Sequence, residues 1–325
     1  SGGMLGAAYQ RELYLRYKNG DMNEWYNDTL SDAVVKNILN PVAFTFATGD
    51  WFIRFQKFTY NNYDYYKDRA YMWEKHFNQN TFGYLDKPLS EYRDPEADAT
   101  IPMMIFSPSD VDKGRKILIS PQDISYFEKL SYTGLIKSKR SAVNIDFRKM
   151  YKDFDADSLR FLSAIRMSST FPYISPYVEL PGENGLKIID AGLHDNYGLS
   201  TSFEFISVFQ EWLKRNTEKI IIVQIIYKDK PSDNQKEDLI TSVISPFSGA
   251  LANFFSFQQM NFEKQMMLAD TDLKKKIVFY NIVVDSEKDV SISWRLTEQE
   301  KRIISKSVRS EENQNTILQL NNHLN

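Results

Sequence analysis

The chain has 325 residues, 42% of them hydrophobic and 14% aromatic, and a formal net charge of −3. That is enough apolar material for one large core or two modest ones, and the charge gives no electrostatic case for nucleic acid. There are no cysteines and three histidines, which excludes disulfides and thiolate metal sites and argues against a histidine-rich one; no metal or cofactor is expected.

In chain order, the apolar set Met4, Leu5, Ala8, Leu13 and Leu15 predicts a helix from Met4 to Tyr17, stopped by "KNGD". A second helix is expected at Asp32–Leu39 with Ser31 as its cap, ended by "NP". Residues 40–80 form an aromatic-rich region (Phe44, Phe46, Trp51, Phe52, Phe55, Phe58, Trp73), read as core and cap packing or as the wall of an acyl-chain pocket. "IPMMIFSPSD" and "GRKILIS" predict two short strands about a turn at Asp112–Gly114, and "SAVNIDF" predicts another. Ala156–Met167 reads as helix, "LKIID" as a short apolar strand and "EFISVFQEWLKR" as an amphipathic helix. "KIIIVQIIY" reads as a strand buried on both faces.

The alternation of strands and helices predicts an α/β class, a helix–sheet–helix sandwich. Lys228–Asp238 is a polar loop that opens a C-terminal extension over residues 228–285. Its apolar stretch, Leu239–Met260, is read as core or lid helix rather than a membrane contact, because it lacks a basic rim. "TEQE" at Thr297–Glu300 fits a capping box opening a final helix, and residues 311–325 are expected to be a fraying polar tail. No stretch of about 20 uninterrupted apolar residues is present, so no transmembrane helix is expected. No signal peptide is visible.

Three stretches carry candidate chemistry. The chain begins "SGGMLGAAY", which fits a cloning scar, a free N-terminal nucleophile, or the second half of a G-x-S-x-G nucleophile elbow. In an elbow, the small residues after the serine admit a close strand and leave the first helical N–H groups facing a developing oxyanion. "IIDAGLHDNYG" places Asp190 directly after an apolar strand, at the sheet edge where open α/β proteins hold their sites; the same pattern fits a turn aspartate satisfying backbone N–H groups. "SAIRMSSTFPYISP" describes a helix ending in a proline-stiffened bend, with Arg166 as a hydrogen-bond donor near it.

Taken together, in order and character, these stretches resemble the patatin-like phospholipases, in a bacterial branch of that family. The match is closest over residues 1–30 and 160–200. It runs more weakly through "DRAYMWEKHF", "PMMIFSPSD…GRKILIS" and "ISWRLTEQE". The resemblance implies a three-layer α/β/α sandwich with a mostly parallel central sheet. Residues 1–310 would form one catalytic domain, cut at its front so that the strand leading into the elbow and a glycine-rich G-G-G-x-[KR]-G oxyanion loop are missing.

It further implies a lipid acyl hydrolase, a serine carboxylic-ester hydrolase working through a Ser–Asp dyad without histidine. Ser1 matches the nucleophile and Asp190 the dyad aspartate. Gly2 and Gly3 match the residues beside the oxyanion, and Ala191, Gly192, Asp195 and Asn196 shape the acid loop. Ala191 departs from the family's glycine. The substrate would be a lipid or other ester, met at a membrane surface. The chain beginning at Ser1 is expected to be weakly active or inactive by itself.

A Ser1–Asp190–His194 triad is a minor alternative, since His194 follows Asp190 in the same loop; His76 and His323 are read as structural or solvated. A non-catalytic lipid- or membrane-binding module is the competing class. An N-terminal-nucleophile amidase ranks last, because its serine would open a strand and not a helix.

Overall fold

The computed structural model describes residues 2–38, 57–60, 63–66, 69–130, 144–170, 178–179, 186–228, 271–285 and 296–324. The readings of "NP", of Phe44–Phe55, of the Phe171–Tyr177 bend and of Leu239–Met260 fall outside them, as does Ser1. The chain is a mixed α/β protein whose contacts divide it into two units, Ser1–Asp195 and Asn196–Asn325.

The first unit opens with α1 (Gly2–Lys18) and α2 (Asp28–Val34). The stop of α1 is the predicted one. Gly20 takes a φ of +81°, and Asp21 N–H closes on the Arg16 carbonyl at 2.9 Å, in the left-handed C-terminal geometry that glycine favours. Nothing lies within 4 Å of a Cβ placed there, so the cost of Gly20→Ala is conformational alone. That substitution is expected to destabilise the fold by about 1–2 kcal/mol, read by thermal denaturation. The cap of α2 differs from the expectation: Asn27 accepts Leu30 N–H at 2.8 Å, so the helix starts four residues before Asp32 and Ser31 lies inside it.

Strands β1 (Lys57–Tyr60) and β2 (Tyr63–Tyr66) form an antiparallel pair, followed by α3 (Arg69–Asn80) and α4 (Arg93–Ala97). On α3, Trp73 and Phe77 are buried with rings stacked at 5.2 Å, so this end of the aromatic-rich region is core. Strands β3 (Ser109–Asp110) and β4 (Arg115–Leu118) flank the predicted turn. Asp110 builds that turn: its carboxylate accepts Asp112 and Lys113 N–H and pairs with Arg115 at 2.9 Å. The first predicted strand is short, since Pro102 and Pro108 cannot donate to a ladder.

Next come β5 (Asn144–Asp146), α5 (Phe147–Met150), α6 (Phe161–Met167), β6 (Val178–Glu179), β7 (Lys187–Ile189) and α7 (Gly192–Asp195). The single helix expected over Ala156–Met167 is interrupted at Leu159–Arg160. There the Leu159 carbonyl accepts Leu89 N–H at 2.7 Å and Phe161 N–H reaches the Lys87 carbonyl at 2.9 Å, two long-range bonds that outcompete helix continuation. One sheet runs β5-β4-β3-β7-β6. Among the described strands of this sheet only β4–β5 pair in parallel; the other pairings are antiparallel, unlike the mostly parallel sheet expected. A four-residue turn between β3 and β4 allows no parallel crossover.

The second unit holds α8 (Leu199–Val208), α9 (Gln210–Asn216), β8 (Ile220–Lys228), α10 (Thr271–Lys276), β9 (Ile277–Asp285), α11 (Glu298–Val308) and α12 (Glu311–Leu324). The predicted helix "EFISVFQEWLKR" is two, broken at Phe209. Strands β8 and β9 pair in parallel over their full lengths, so part of the supposed extension over 228–285 is sheet. On one face Ile220, Ile222 and Ile277 pack on Ile206, Leu213 and Leu273. On the other, Val223 and Ile225 are 45% and 71% exposed, so β8 is not buried on both faces.

The Thr297–Glu300 capping box is present as read. Where a fraying tail was expected over 311–325, Glu311–Leu324 is helical instead. Asn313, which is buried, donates to the Val283 and Ser307 carbonyls at 2.8 and 2.9 Å and accepts Val283 N–H at 2.9 Å, serving the edge of β9 as a neighbouring strand would. Asn313→Ala is expected to cost about 1–3 kcal/mol in chemical denaturation, by stranding those backbone groups.

Candidate active site

Helix α1 is a long helix whose first turn carries no acidic side chain; its leading N–H groups have no partner within the helix and lie at the positive end of its dipole. Gly2 and Gly3 are exposed there. A Cβ placed on Gly2, Gly3 or Gly6 meets nothing within 4 Å, so among the described residues none makes the close strand approach that the elbow reading assigned to them.

The body of α1 is anchored by buried charge. Arg11 pairs with Glu96, donates to the Pro102 carbonyl at 3.0 Å and lies 4.5 Å above the Tyr92 ring. The next residue, Glu12, is buried and receives Arg16 at 2.9 Å, Lys87 at 2.7 Å and the Tyr92 hydroxyl at 2.8 Å. Each oxygen of this carboxylate has a cation or hydroxyl to offset its desolvation.

Asp190 stands directly beyond β7, as the sequence predicts. It is 7% exposed. Its Oδ1 accepts Gly192 N–H at 2.6 Å, an Asx turn, so the structural role weighed for this residue is also present. Its Oδ2 is buried and has no hydrogen-bond partner. Burial pushes the carboxyl up from its ordinary value, and the Gly192 N–H pulls against that rise. A carboxylate with one oxygen fixed, one free and a raised pKa is suited to accept a proton.

The acid loop closes tightly on itself. Ala191 and Asp195 are buried, and the Ala191 carbonyl accepts the N–H groups of His194 (3.0 Å) and Asp195 (2.9 Å). Asn196 begins the second unit, so only Ala191, Gly192 and Asp195 share the first with Asp190. Two residues that sequence reasoning did not single out hold the loop from outside. Ser109 on β3 donates its hydroxyl to the Asp190 carbonyl at 3.3 Å, and the Ser168 carbonyl at the end of α6 accepts Ala191 N–H at 3.5 Å. Lone serines carry no periodic signal, so only their burial reveals them.

Helix α6 is held in turn by Glu74 of α3. The Glu74 carboxylate accepts Arg160 Nη1 at 2.9 Å and Ser163 Oγ at 3.0 Å and pairs with Arg166 at 3.1 Å. Arg166 thus has the structural role expected of it. His76 lies on α3, its pKa lowered by burial and by Lys75, and His323 lies on α12 beside the Tyr280 hydroxyl.

Among the described residues no group of three or more His, Asp or Glu is placed to hold a metal ion, and no helix is long and apolar enough to cross a membrane. Comparison with protein-family models, with curated proteins and with solved structures finds no match.

Proposed function

We propose that this chain carries the catalytic dyad of a lipid acyl hydrolase of patatin-like type, with a three-layer α/β/α sandwich as its complete architecture. Asp190 Oδ2 takes the proton of the Ser1 hydroxyl as Ser1 Oγ attacks the ester carbonyl. The bond from that carbon to the ester oxygen then breaks, and the alcohol leaves with the proton returned by Asp190, giving an acyl-enzyme. The Gly2 and Gly3 N–H groups, at the positive end of α1, stabilise the oxyanion. Water activated by the same aspartate then releases the fatty acid and restores Ser1.

The observation that carries this reading is Asp190 itself, buried at the end of β7 with one oxygen pinned to Gly192 N–H and the other unpartnered. A purely structural Asx aspartate has no need of a buried, unsatisfied second oxygen, which costs stability. The helical course of α1 from Gly2 onward favours an elbow over an N-terminal-nucleophile amidase, whose serine opens a strand.

The test is hydrolysis of phospholipid vesicles and of short p-nitrophenyl esters by the complete gene product. Release of fatty acid and of p-nitrophenol is expected. Binding to vesicles with no release from either substrate would favour the non-catalytic lipid-binding module instead.

A further inference from the structure

Asp190 is the first residue beyond β7, whose pairing with β3 ends at Ile189, opposite Ser109. Past that pair the β3–β7 ladder no longer holds the backbone. The peptide group joining Asp190 to Ala191 is instead clamped from two sides. Its carbonyl accepts the Ser109 hydroxyl at 3.3 Å, and its N–H donates to the Ser168 carbonyl at 3.5 Å. Ser109 is 2% exposed, so bulk solvent does not compete for this carbonyl.

The peptide group is planar, so its tilt couples ψ of Asp190 to φ of Ala191. Those two angles place the Gly192 N–H, to which Asp190 Oδ1 is bonded at 2.6 Å. With Oδ1 pinned there, the direction of Oδ2 follows. A turn of this one peptide plane therefore carries Gly192 N–H, Oδ1 and Oδ2 with it.

We propose that Ser109 is a positioning residue for the base: by fixing the Asp190–Ala191 peptide it fixes the direction in which Oδ2 is presented to the nucleophile. The inference rests on the Ser1–Asp190 reading. Ser109 moves no proton and acts only through Asp190. Its loss slows the steps in which Asp190 takes a proton, because proton transfer needs aligned partners, and leaves substrate binding as it was.

The test is a double-mutant cycle on the complete protein, combining Ser109→Ala with Asp190→Asn and reading the rate of fluorophosphonate labelling at Ser1. With Asp190 intact, Ser109→Ala is expected to slow labelling about tenfold. Ester hydrolysis is expected to lose about the same factor in kcat, with KM within about twofold. In the Asp190→Asn background no base is left to aim, so Ser109→Ala is expected to change labelling by less than about twofold. A serine that serves stability alone slows both backgrounds equally. Equal losses, or no loss beside an intact Asp190, overturn the proposal.

Amide hydrogen exchange is the second arm and needs no activity. In Ser109→Ala the Ala191 and Gly192 N–H groups are expected to exchange roughly tenfold faster, with the amides of α1 unchanged. Unchanged exchange at both amides overturns the clamp, and so does a uniform rise across the first unit, which marks a loosened fold. Labelling absent from the wild type, or unchanged in Asp190→Asn alone, overturns the dyad instead, whatever the exchange shows.

Discussion

Asp190→Asn is expected to lower ester hydrolysis about 10³-fold or more while making the folded protein more resistant to heat at neutral pH. The first effect follows from removing the base: an amide can keep the Gly192 N–H bond, but it cannot take the serine proton. The second follows from burial. Asp190 is raised above the ordinary carboxylate value of about 3.9 because its charged form is desolvated. A carboxyl with a raised folded pKa contributes its full stability below the unfolded value and loses it as the pH rises through the folded one. The advantage of the Asn variant is therefore largest above the folded pKa, shrinks as the pH falls through it, and is gone below the unfolded value.

Melting temperatures across pH 4–8, set beside kcat/KM at each pH, read both effects. Activity in the wild type is expected to fall on the acid side as the same carboxylate takes up its proton. A variant that is inactive but less stable at neutral pH would mark Asp190 as a structural turn residue only.

Glu74→Ala is expected to cost about 3–5 kcal/mol of folding stability. Glu74 is 1% exposed and faces Arg160, Arg166 and Ser163, all on or beside α6. Its removal leaves two largely buried guanidinium groups short of their shared counter-charge, while Arg160 keeps Asp86, at 2.9 Å. Added salt offers little compensation, because buried pairs are poorly screened. Since the end of α6 carries the Ser168 carbonyl that holds Ala191, the variant is also expected to lose activity at temperatures where it remains folded. Urea denaturation gives the stability change; a loss under about 1 kcal/mol would contradict this account of α6.

Where the signal is local, it was legible in the sequence. Helix α1 declares itself by its apolar set and its glycine stop, and the Thr297–Glu300 box by two side chains three residues apart. Asp190 could be placed because an apolar strand followed at once by an acid is a short-range pattern. Where tertiary contacts decide, it was not. Helix α12 is polar, and what orders it is one buried carboxamide on the edge of β9. Strand β9 was read as part of an extension because its partner, β8, lies some fifty residues upstream. The break before α6 comes from backbone bonds to residues 87–89, which no propensity encodes. The antiparallel bias of the five-stranded sheet likewise depends on which strands neighbour one another, a matter of topology that alternation does not fix.

The most direct measurement of the central claim is covalent labelling of the complete protein with a fluorophosphonate ester, mapped by peptide mass spectrometry. The account predicts one stoichiometric adduct on Ser1 and, in Asp190→Asn, labelling slowed in step with the loss of hydrolysis. An adduct on a different serine, or labelling of Ser1 at an unchanged rate in Asp190→Asn, would contradict it.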